Sequence, residues 1–218
     1  MSLREKIEIP KYTLGEELMS AISHGIGVLL SIAALVLCVV FSVKHNNVLA
    51  IVSSSIYGSC SIILYTMSTM YHSLKVNNAK RVFRIIDHCS IFLMIAGTYT
   101  PYVLVVMPMG IGWLMFGVIW GSAILGIILN AINLKRFKTI SMILYFVMGW
   151  LVVFSFKYLL KSINIRGIFL MVCAGILYSV GALFYGLGKK KKYMHSIFHL
   201  FVLGASVLFF FSIFLYVI

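Results

Sequence analysis

Two histidines, His195 and His199, lie four residues apart in an apolar segment near the end of the 218-residue chain. On a helix this spacing places both imidazoles on one face, about one turn apart. Two imidazoles in that arrangement form a common half-site for a transition metal. A histidine pair alone is a weak signal, because a histidine at a helix end is more often interfacial. The pair therefore predicts a metal centre only if further ligands converge on it.

Three further residues carry side chains that would complete such a centre, namely Ser68, His72 and Asp87. His72 offers a third imidazole, and three neutral imidazoles with a water form a catalytic-type zinc site whose fourth position stays open. Asp87 is the only carboxylate beyond residue 17, and it would bind the metal or accept the proton of a metal-bound water. Ser68 shares a helix face with His72, so its hydroxyl would orient a ligand or donate to an oxyanion. The competing interpretation of Asp87 is a helix N-cap.

The elements that must position these residues are membrane-spanning helices. Apolar residues make up 62% of the chain and charged residues 11%, whereas soluble domains contain about 45–50% and about 25%. A bilayer-crossing helix needs roughly 20 apolar residues, and dividing the chain at its charges and turns gives seven such segments. They cover residues 20–43, 47–70, 85–107, 111–133, 139–160, 166–187 and 195–217. The sequence therefore predicts an all-α seven-transmembrane helix bundle that forms one integral membrane domain over residues 1–218.

The basic residues predict how this bundle is oriented. Of the 18 lysines and arginines, 14 fall on the side of the N-terminus and four on the opposite side. The positive-inside rule then places the N-terminus in the cytoplasm and the C-terminus outside the cell. Nucleic acid is not an expected partner, because these charges punctuate long apolar runs instead of forming one basic surface. The N-terminal side carries Arg4, Lys6, Lys11, Lys75, Lys80, Arg81, Arg84, Lys135, Arg136, Lys138 and Lys189–Lys192. The run Lys189–Lys192 is interpreted as a topology anchor that contacts anionic lipid headgroups.

This orientation brings most of the histidines to one side of the membrane. Five are predicted at cytoplasmic helix ends: His24, His72, His88, His195 and His199. Only His45 lies on the far side, in a loop. The orientation rests on lysine and arginine alone, so the convergence of the histidines is an independent observation. His88 adjoins Asp87 and points to another helix face, which excludes it from the predicted ligand set.

Two glycines of the fourth predicted span, Gly117 and Gly121, lie four residues apart. Small residues at this spacing let helices approach closely. We expect them to pack against another helix of the same bundle, with a dimer contact as the alternative.

Three motifs resemble the bacterial hemolysin III branch of the progestin and adipoQ receptor superfamily. They are Gly15–Gly27, then Ser68–His72 with Asp87 and Gly97–Pro101, and finally His195–His199. Together they span essentially the whole chain in the right order. The first motif usually carries an asparagine where this chain has Ser20, which weakens any polar role inferred there.

The resemblance implies a seven-helix fold with a cytoplasmic N-terminus and a zinc ion held near the cytoplasmic face. Carried over residue by residue, the zinc ligands are His72, His195 and His199, with Asp87 contacting the zinc water and Ser68 nearby. Adiponectin receptors of this superfamily are linked to ceramide hydrolysis. The bacterial branch takes its name from haemolysis and is otherwise discussed in membrane-lipid homeostasis.

The residues and the resemblance together predict a zinc-dependent hydrolase of membrane lipid amides or esters. Asp87 and Ser68 are its expected catalytic residues, Zn²⁺ its cofactor and membrane lipids its partners, in a multi-pass protein of the bacterial plasma membrane. A cytolysin is one alternative, and a membrane-lipid homeostasis sensor with a structural zinc ion is another. The roles of Ser20 and His24 are left open.

Overall fold

The computed structural model describes residues 7–188 and 191–218 of the chain. Within these ranges all regular structure is helical, and seven membrane spans are long and apolar enough to cross a bilayer. The helices are α1 (Leu14–Lys44), α2 (Val48–Ser73), α3 (Asn78–Pro101), α4 (Met109–Asn133), α5 (Lys138–Trp150), α6 (Val152–Ser162), α7 (Ile165–Leu187) and α8 (Met194–Tyr216). The predicted seven-helix membrane fold is confirmed. Four of the basic residues used to predict its orientation lie outside the described residues: Arg4, Lys6, Lys189 and Lys190.

Two helices, α1 and α3, begin more than one turn earlier than the charge pattern predicts. Helix α1 begins at Leu14 and not at residue 20, because Thr13 and Glu16 form a capping box that satisfies the first backbone N–H groups. Helix α3 begins at Asn78 and not at residue 85, because the side chain of Asn77 accepts a hydrogen bond from a backbone N–H of its first turn. Charged residues that marked the predicted ends therefore lie inside the helices.

Helix α3 lies at the centre of the bundle and is the most buried of the membrane spans within the described residues. It packs against α2 and α4, while α1 packs against α2 and α8, and α7 packs against α8. A π-helical segment, Tyr102–Val106, extends α3 beyond Pro101. This arrangement places the N-terminal part of α3 next to the last turns of α2, and the N-terminal turns of α8 against α1.

The expected close packing at Gly117 and Gly121 is wrong. Neither glycine has a non-local atom within 4 Å of the position that a Cβ would take, so neither lies at a close helix contact within the described chain. Close approach occurs elsewhere: a Cβ on Gly27 would overlap the ring of Tyr65. The dimer alternative for Gly117 and Gly121 stays a prediction.

The fifth span is broken at Leu151, which separates α5 from α6. The break is bridged by Tyr99 of α3, whose hydroxyl donates to the carbonyl of Gly149 at 3.0 Å and accepts from the N–H of Val152 at 2.9 Å. The backbone groups freed by the break thus keep partners inside the membrane, as an apolar surrounding demands. The broken span lines a cavity that is described below.

Candidate metal centre

Two helices bring three histidines to one point in the bundle. His72 lies in the last turn of α2, and His195 and His199 lie in the first two turns of α8. One ligand atom from each of the three lies within 4.8 Å of the others, and all three residues are buried. These are the three residues that the sequence predicts as ligands, and the structure brings them together although they come from opposite ends of the chain.

The unpaired ring nitrogens of these histidines fit a bound cation. His72 donates from Nδ1 to Glu17 Oε2 at 2.7 Å, which leaves its buried Nε2 without a partner. The Nε2 atoms of His195 and His199 face each other at 3.1 Å, and Nδ1 of His199 is buried without a partner. Buried polar atoms normally have partners. A metal ion that accepts several imidazole lone pairs is the simplest group that satisfies this arrangement.

A charged network anchors His72. The Glu17 carboxylate accepts from the His72 imidazole through one oxygen and from Lys80 Nζ through the other. Lys80 also donates to the carbonyl of Leu74 at 2.9 Å and lies over the ring of Tyr71. A carboxylate behind a metal-binding histidine fixes the tautomer and raises the basicity of the other nitrogen.

The sequence predicts no role for Glu17 or Lys80. Glu17 lies in the first of the three motifs, and Lys80 contributes only to the charge count that orients the bundle. The signal that points to them is physical: an ionisable side chain within a membrane helix needs a partner. Lys80 is nearly fully buried, with 2% of its side chain exposed. It meets its partner Glu17 because α1 and α3 both pack against α2.

The start of α8 is anchored to the start of α1. Tyr193, with a left-handed backbone (φ 64°), donates its N–H to Glu16 Oε1 at 2.7 Å. Ser196 donates to the carbonyl of Glu16 at 3.0 Å, and Ser20 donates to Ser196 at 3.1 Å. These contacts set the height of α8 relative to α1, and therefore the position of His195. Ser20 thus has a structural partner although it replaces the asparagine of the family motif.

Tyr12 covers the centre from the N-terminal side. Its ring stacks on His195 with centroids 4.8 Å apart and lies 6.0 Å from the ring of His72. Burial raises the pKa of the Tyr12 hydroxyl well above its usual value, so this group stays neutral. Tyr12 therefore shields the histidines from water without adding a charge.

Asp87 and Ser68 lie beside the histidine cluster without belonging to it. Asp87 lies inside α3, well beyond the cap at Asn77, so the N-cap interpretation of Asp87 is wrong. The Ser68 hydroxyl is buried next to the Asp87 carboxyl without a well-aligned hydrogen bond to it. The sequence excludes His88 from the ligand set, and His88 is absent from the three-histidine group. Its Nδ1 atom lies 3.7 Å from Oδ2 of Asp87.

His24 lies deeper than a helix end. It is buried in α1, its ring centroid lies 3.9 Å from that of His199, and Tyr65 meets it edge-on at 5.0 Å. Neither of its ring nitrogens has a hydrogen-bond partner. His24 therefore presents an unused polar group next to the predicted ligands.

A cavity of about 400 Å³ begins at this polar cluster and extends into the apolar part of the bundle. Its polar end is lined by Ser68, Asp87, His24, His195 and His199. Its other walls are largely apolar and include Ile95, Phe156, Met171, Val202 and Phe209. A pocket of this size with a few polar groups at one end suits a ligand that has a long apolar part and one polar group.

The cavity reaches the lipid-facing surface between the fifth and sixth spans. Phe146 of α5 and Val153 of α6 line the cavity, yet they are 59% and 57% exposed. Trp150 reaches across from the helix break and donates to Ser179 of α7 at 3.2 Å. Exposed residues of the fifth span therefore form part of the cavity wall.

Known proteins match the chain over nearly all of its length. The model that describes the haemolysin-III related family matches residues 12–210. Hemolysin-3 of Bacillus cereus is 40% identical over 216 residues, which are 99% of this chain and 98% of that protein. The Hemolysin-3 homolog of Bacillus subtilis (strain 168) is 42% identical over 205 residues, 94% of this chain and 96% of that protein. The human Monocyte to macrophage differentiation factor is 27% identical over 171 residues, 76% of this chain and 70% of that protein.

Proposed function

We propose that this chain, which belongs to the haemolysin-III related family of multi-pass cell-membrane proteins, is a zinc-dependent hydrolase of a membrane lipid amide or ester. The observation that carries this proposal is a buried group of three histidines, two of which, His195 and His199, line the polar end of an apolar cavity. A lipid enters sideways, its acyl chain fills the apolar part, and its carbonyl reaches the polar cluster. His72, His195 and His199 would hold the metal.

Asp87 and Ser68 carry out the proton transfer and the oxyanion stabilisation that hydrolysis requires. Bound zinc polarises a carbonyl and makes water acidic enough to attack near neutral pH. Asp87 takes the proton of the attacking water as the new C–O bond forms, and returns it to the leaving nitrogen or oxygen as that bond breaks. Ser68, buried beside Asp87, donates to the oxygen that becomes negatively charged. The products are a fatty acid and an amine or alcohol.

The test combines zinc quantitation with mass spectrometry of lipids on wild type and Asp87→Asn. We expect about one zinc per chain in both proteins, with fatty-acid release at least about a hundredfold slower in the variant because its proton acceptor is gone. Asparagine has nearly the same size and shape as aspartate, so a loss of turnover in Asp87→Asn is not explained by a change in packing. Zinc-free wild type, or full turnover by Asp87→Asn, would contradict the proposal. Zinc with no lipid product from either protein would favour the sensor with structural zinc.

The names of the two Bacillus relatives favour a second candidate, a cytolysin. Dye release from phosphatidylcholine vesicles separates the two functions. Dye release that follows from hydrolysis of the phosphatidylcholine esters is lost in Asp87→Asn. Release by purified protein that is unchanged in Asp87→Asn and in His199→Ala would establish the cytolysin and remove the hydrolase.

A further inference from the structure

A second, smaller cavity lies on the N-terminal side of the bundle, at the junction of α3 with the turn between α4 and α5. It measures about 50 Å³, and no residue of the metal group lines it. Its walls carry three basic side chains, from Arg84 of α3, Lys135 of the turn and Lys138 of α5. Nothing in the proposed hydrolysis uses any of these three residues.

Arg84 is the unusual member of this group. It is only 7% exposed, and its Nε and Nη1 atoms are buried without a hydrogen-bond partner. Among the described residues no carboxylate lies within ion-pair distance of it, since the three ion pairs there join His72 and Lys80 to Glu17 and His88 to Asp87. Asp87, one turn along α3, is near enough for its charge to interact with that of Arg84 but makes no ion pair with it. A buried guanidinium without a direct partner is unfavourable, so its position in the fold calls for an anion.

The surroundings of Arg84 give that anion a defined place. Lys135 is exposed at the edge of the cavity, and Lys138 Nζ lies over the ring of Tyr185, which also lines it. Glu8 is the only carboxylate on the cavity wall within the described residues, and its side chain is exposed. Asp87 lines the large cavity and not this one. Among the described residues, Arg84, Lys135 and Lys138 line the small cavity, and the one carboxylate on its wall is exposed.

We propose that this cavity binds a phosphate group. A water needs roughly 10–15 Å³ of such a volume, so about 50 Å³ holds three or four oxygen-sized groups, which suits one tetrahedral oxyanion. A planar guanidinium matches phosphate oxygens in geometry and keeps its charge when buried. At the membrane boundary this group comes from a phospholipid headgroup or from free phosphate in solution. The proposal uses none of the metal ligands and stands apart from the proposed hydrolase.

The test measures the thermal unfolding midpoint of the full-length protein in a neutral detergent. One series adds inorganic phosphate, with potassium chloride of equal ionic strength as its reference. A second adds dioleoylphosphatidylglycerol to the micelles, with dioleoylglycerol, which lacks phosphate, as its reference. A ligand that binds only the folded state raises the midpoint as its concentration rises. We expect a saturating rise in wild type with at least one of the two probes.

Three variants decide where the phosphate binds. Arg84→Gln and Lys135→Gln should raise the half-saturating concentration at least about tenfold. Arg136→Gln is the matched control, because Arg136 is an exposed neighbour of Lys135 that does not line the cavity, and it should stay within about twofold of wild type. Lys135→Gln changes an exposed side chain, so it carries the test if Arg84→Gln does not fold.

The outcomes separate the sources of the phosphate group. A response to inorganic phosphate assigns a free anion, and a response to phosphatidylglycerol alone assigns a lipid headgroup; both support the proposal. It is overturned if wild type responds to neither probe beyond its reference. It is also overturned if all three variants respond alike. Zinc measured in the same samples should be unchanged, so that loss of the metal centre and loss of the phosphate site are distinguished.

Discussion

His72 on α2 and the pair His195–His199 on α8 reach the same point from helices that are anchored in different ways. His72 is fixed by an ionic network, in which Glu17 binds its Nδ1 atom and is itself held by Lys80. Among the described residues, no hydrogen bond joins either imidazole of the α8 pair to a charged side chain, and their Nε2 atoms face each other beside the cavity. One predicted ligand is therefore oriented by an ionic network, and the other two are oriented by packing.

The anchors of α8 act on its backbone and not on its imidazoles. Glu16 accepts from the N–H of Tyr193, and Ser196 donates to the carbonyl of Glu16, so α8 is fixed in height where it begins. The neighbouring residues Glu16 and Glu17 of α1 therefore act differently. Glu17 orients the side chain of His72, whereas Glu16 positions the start of α8. Orientation of His195 and His199 is left to packing, such as the ring of Tyr12 on His195.

The largest expected effect on zinc affinity comes from removing a predicted ligand, either on α2 or on α8. His72→Ala and His199→Ala should each lower zinc affinity at least about a hundredfold, because each ligand contributes a large share of the binding free energy of a zinc site. Zinc content after purification, measured by mass spectrometry, should fall from about one per chain to near zero. His45→Ala removes an exposed histidine and should keep full zinc content. Retention of zinc by His72→Ala alone would show that α8 binds the metal without α2.

The second effect tests the ionic anchor. Glu17→Gln should weaken zinc binding by about 10–100-fold, or about 1.4–2.7 kcal/mol, because the neutral amide no longer fixes and polarises His72. Zinc affinity measured by competition with a chelator reports this change. Lys80 then lies buried without its partner, which lowers stability by about 3–5 kcal/mol.

A double variant separates these two consequences. Glu17→Gln with Lys80→Met removes the orphaned charge and should recover stability but not zinc affinity. Lys80→Met alone leaves the Glu17–His72 contact and should stay within a few-fold of wild type in affinity. Recovery of affinity in the double variant would show that Glu17 acts only through folding.

The smallest effect tests the anchor of α8. Ser196→Ala removes hydrogen bonds to Glu16 and Ser20, and should lower stability by about 1 kcal/mol and zinc affinity by no more than a few-fold. Ser206→Ala is the matched control, since this serine of α8 contacts Tyr65 and Tyr178 away from the histidines. It should lower stability similarly and leave zinc affinity unchanged. An effect of Ser196→Ala as large as that of Glu17→Gln would erase the difference between His72 and the α8 pair.

The sequence predicts the spans and the identity of the histidines because both depend on local patterns. Apolar runs define helices in a bilayer, and a spacing of four residues defines a helix face. The early starts of α1 and α3 do not follow from the positions of charged residues, although Thr13 and Asn77 carry recognisable capping side chains.

The anchors of the site depend on which helices become neighbours, and no local pattern specifies this. Glu17 meets His72 only because α1 packs against α2, and Arg84 faces Lys135 only because α3 lies beside the turn after α4. The break at Leu151 is likewise supported by the distant Tyr99. Gly117 and Gly121 show the converse, since a pattern that favours helix contact faces no helix in the described chain.

The pairing of the first helix with the last has a consequence for biosynthesis. A ribosome delivers α1 and α2 to the membrane early, and α8 leaves it last, so His72 waits for its two partners until nearly the whole chain has been made. The Glu17–Lys80 ion pair joins α1 to α3, both of which precede α8 in the chain. If the three histidines hold zinc as proposed, the complete site forms only when α8 has joined the bundle, and a prematurely terminated chain cannot bind the ion through all three histidines.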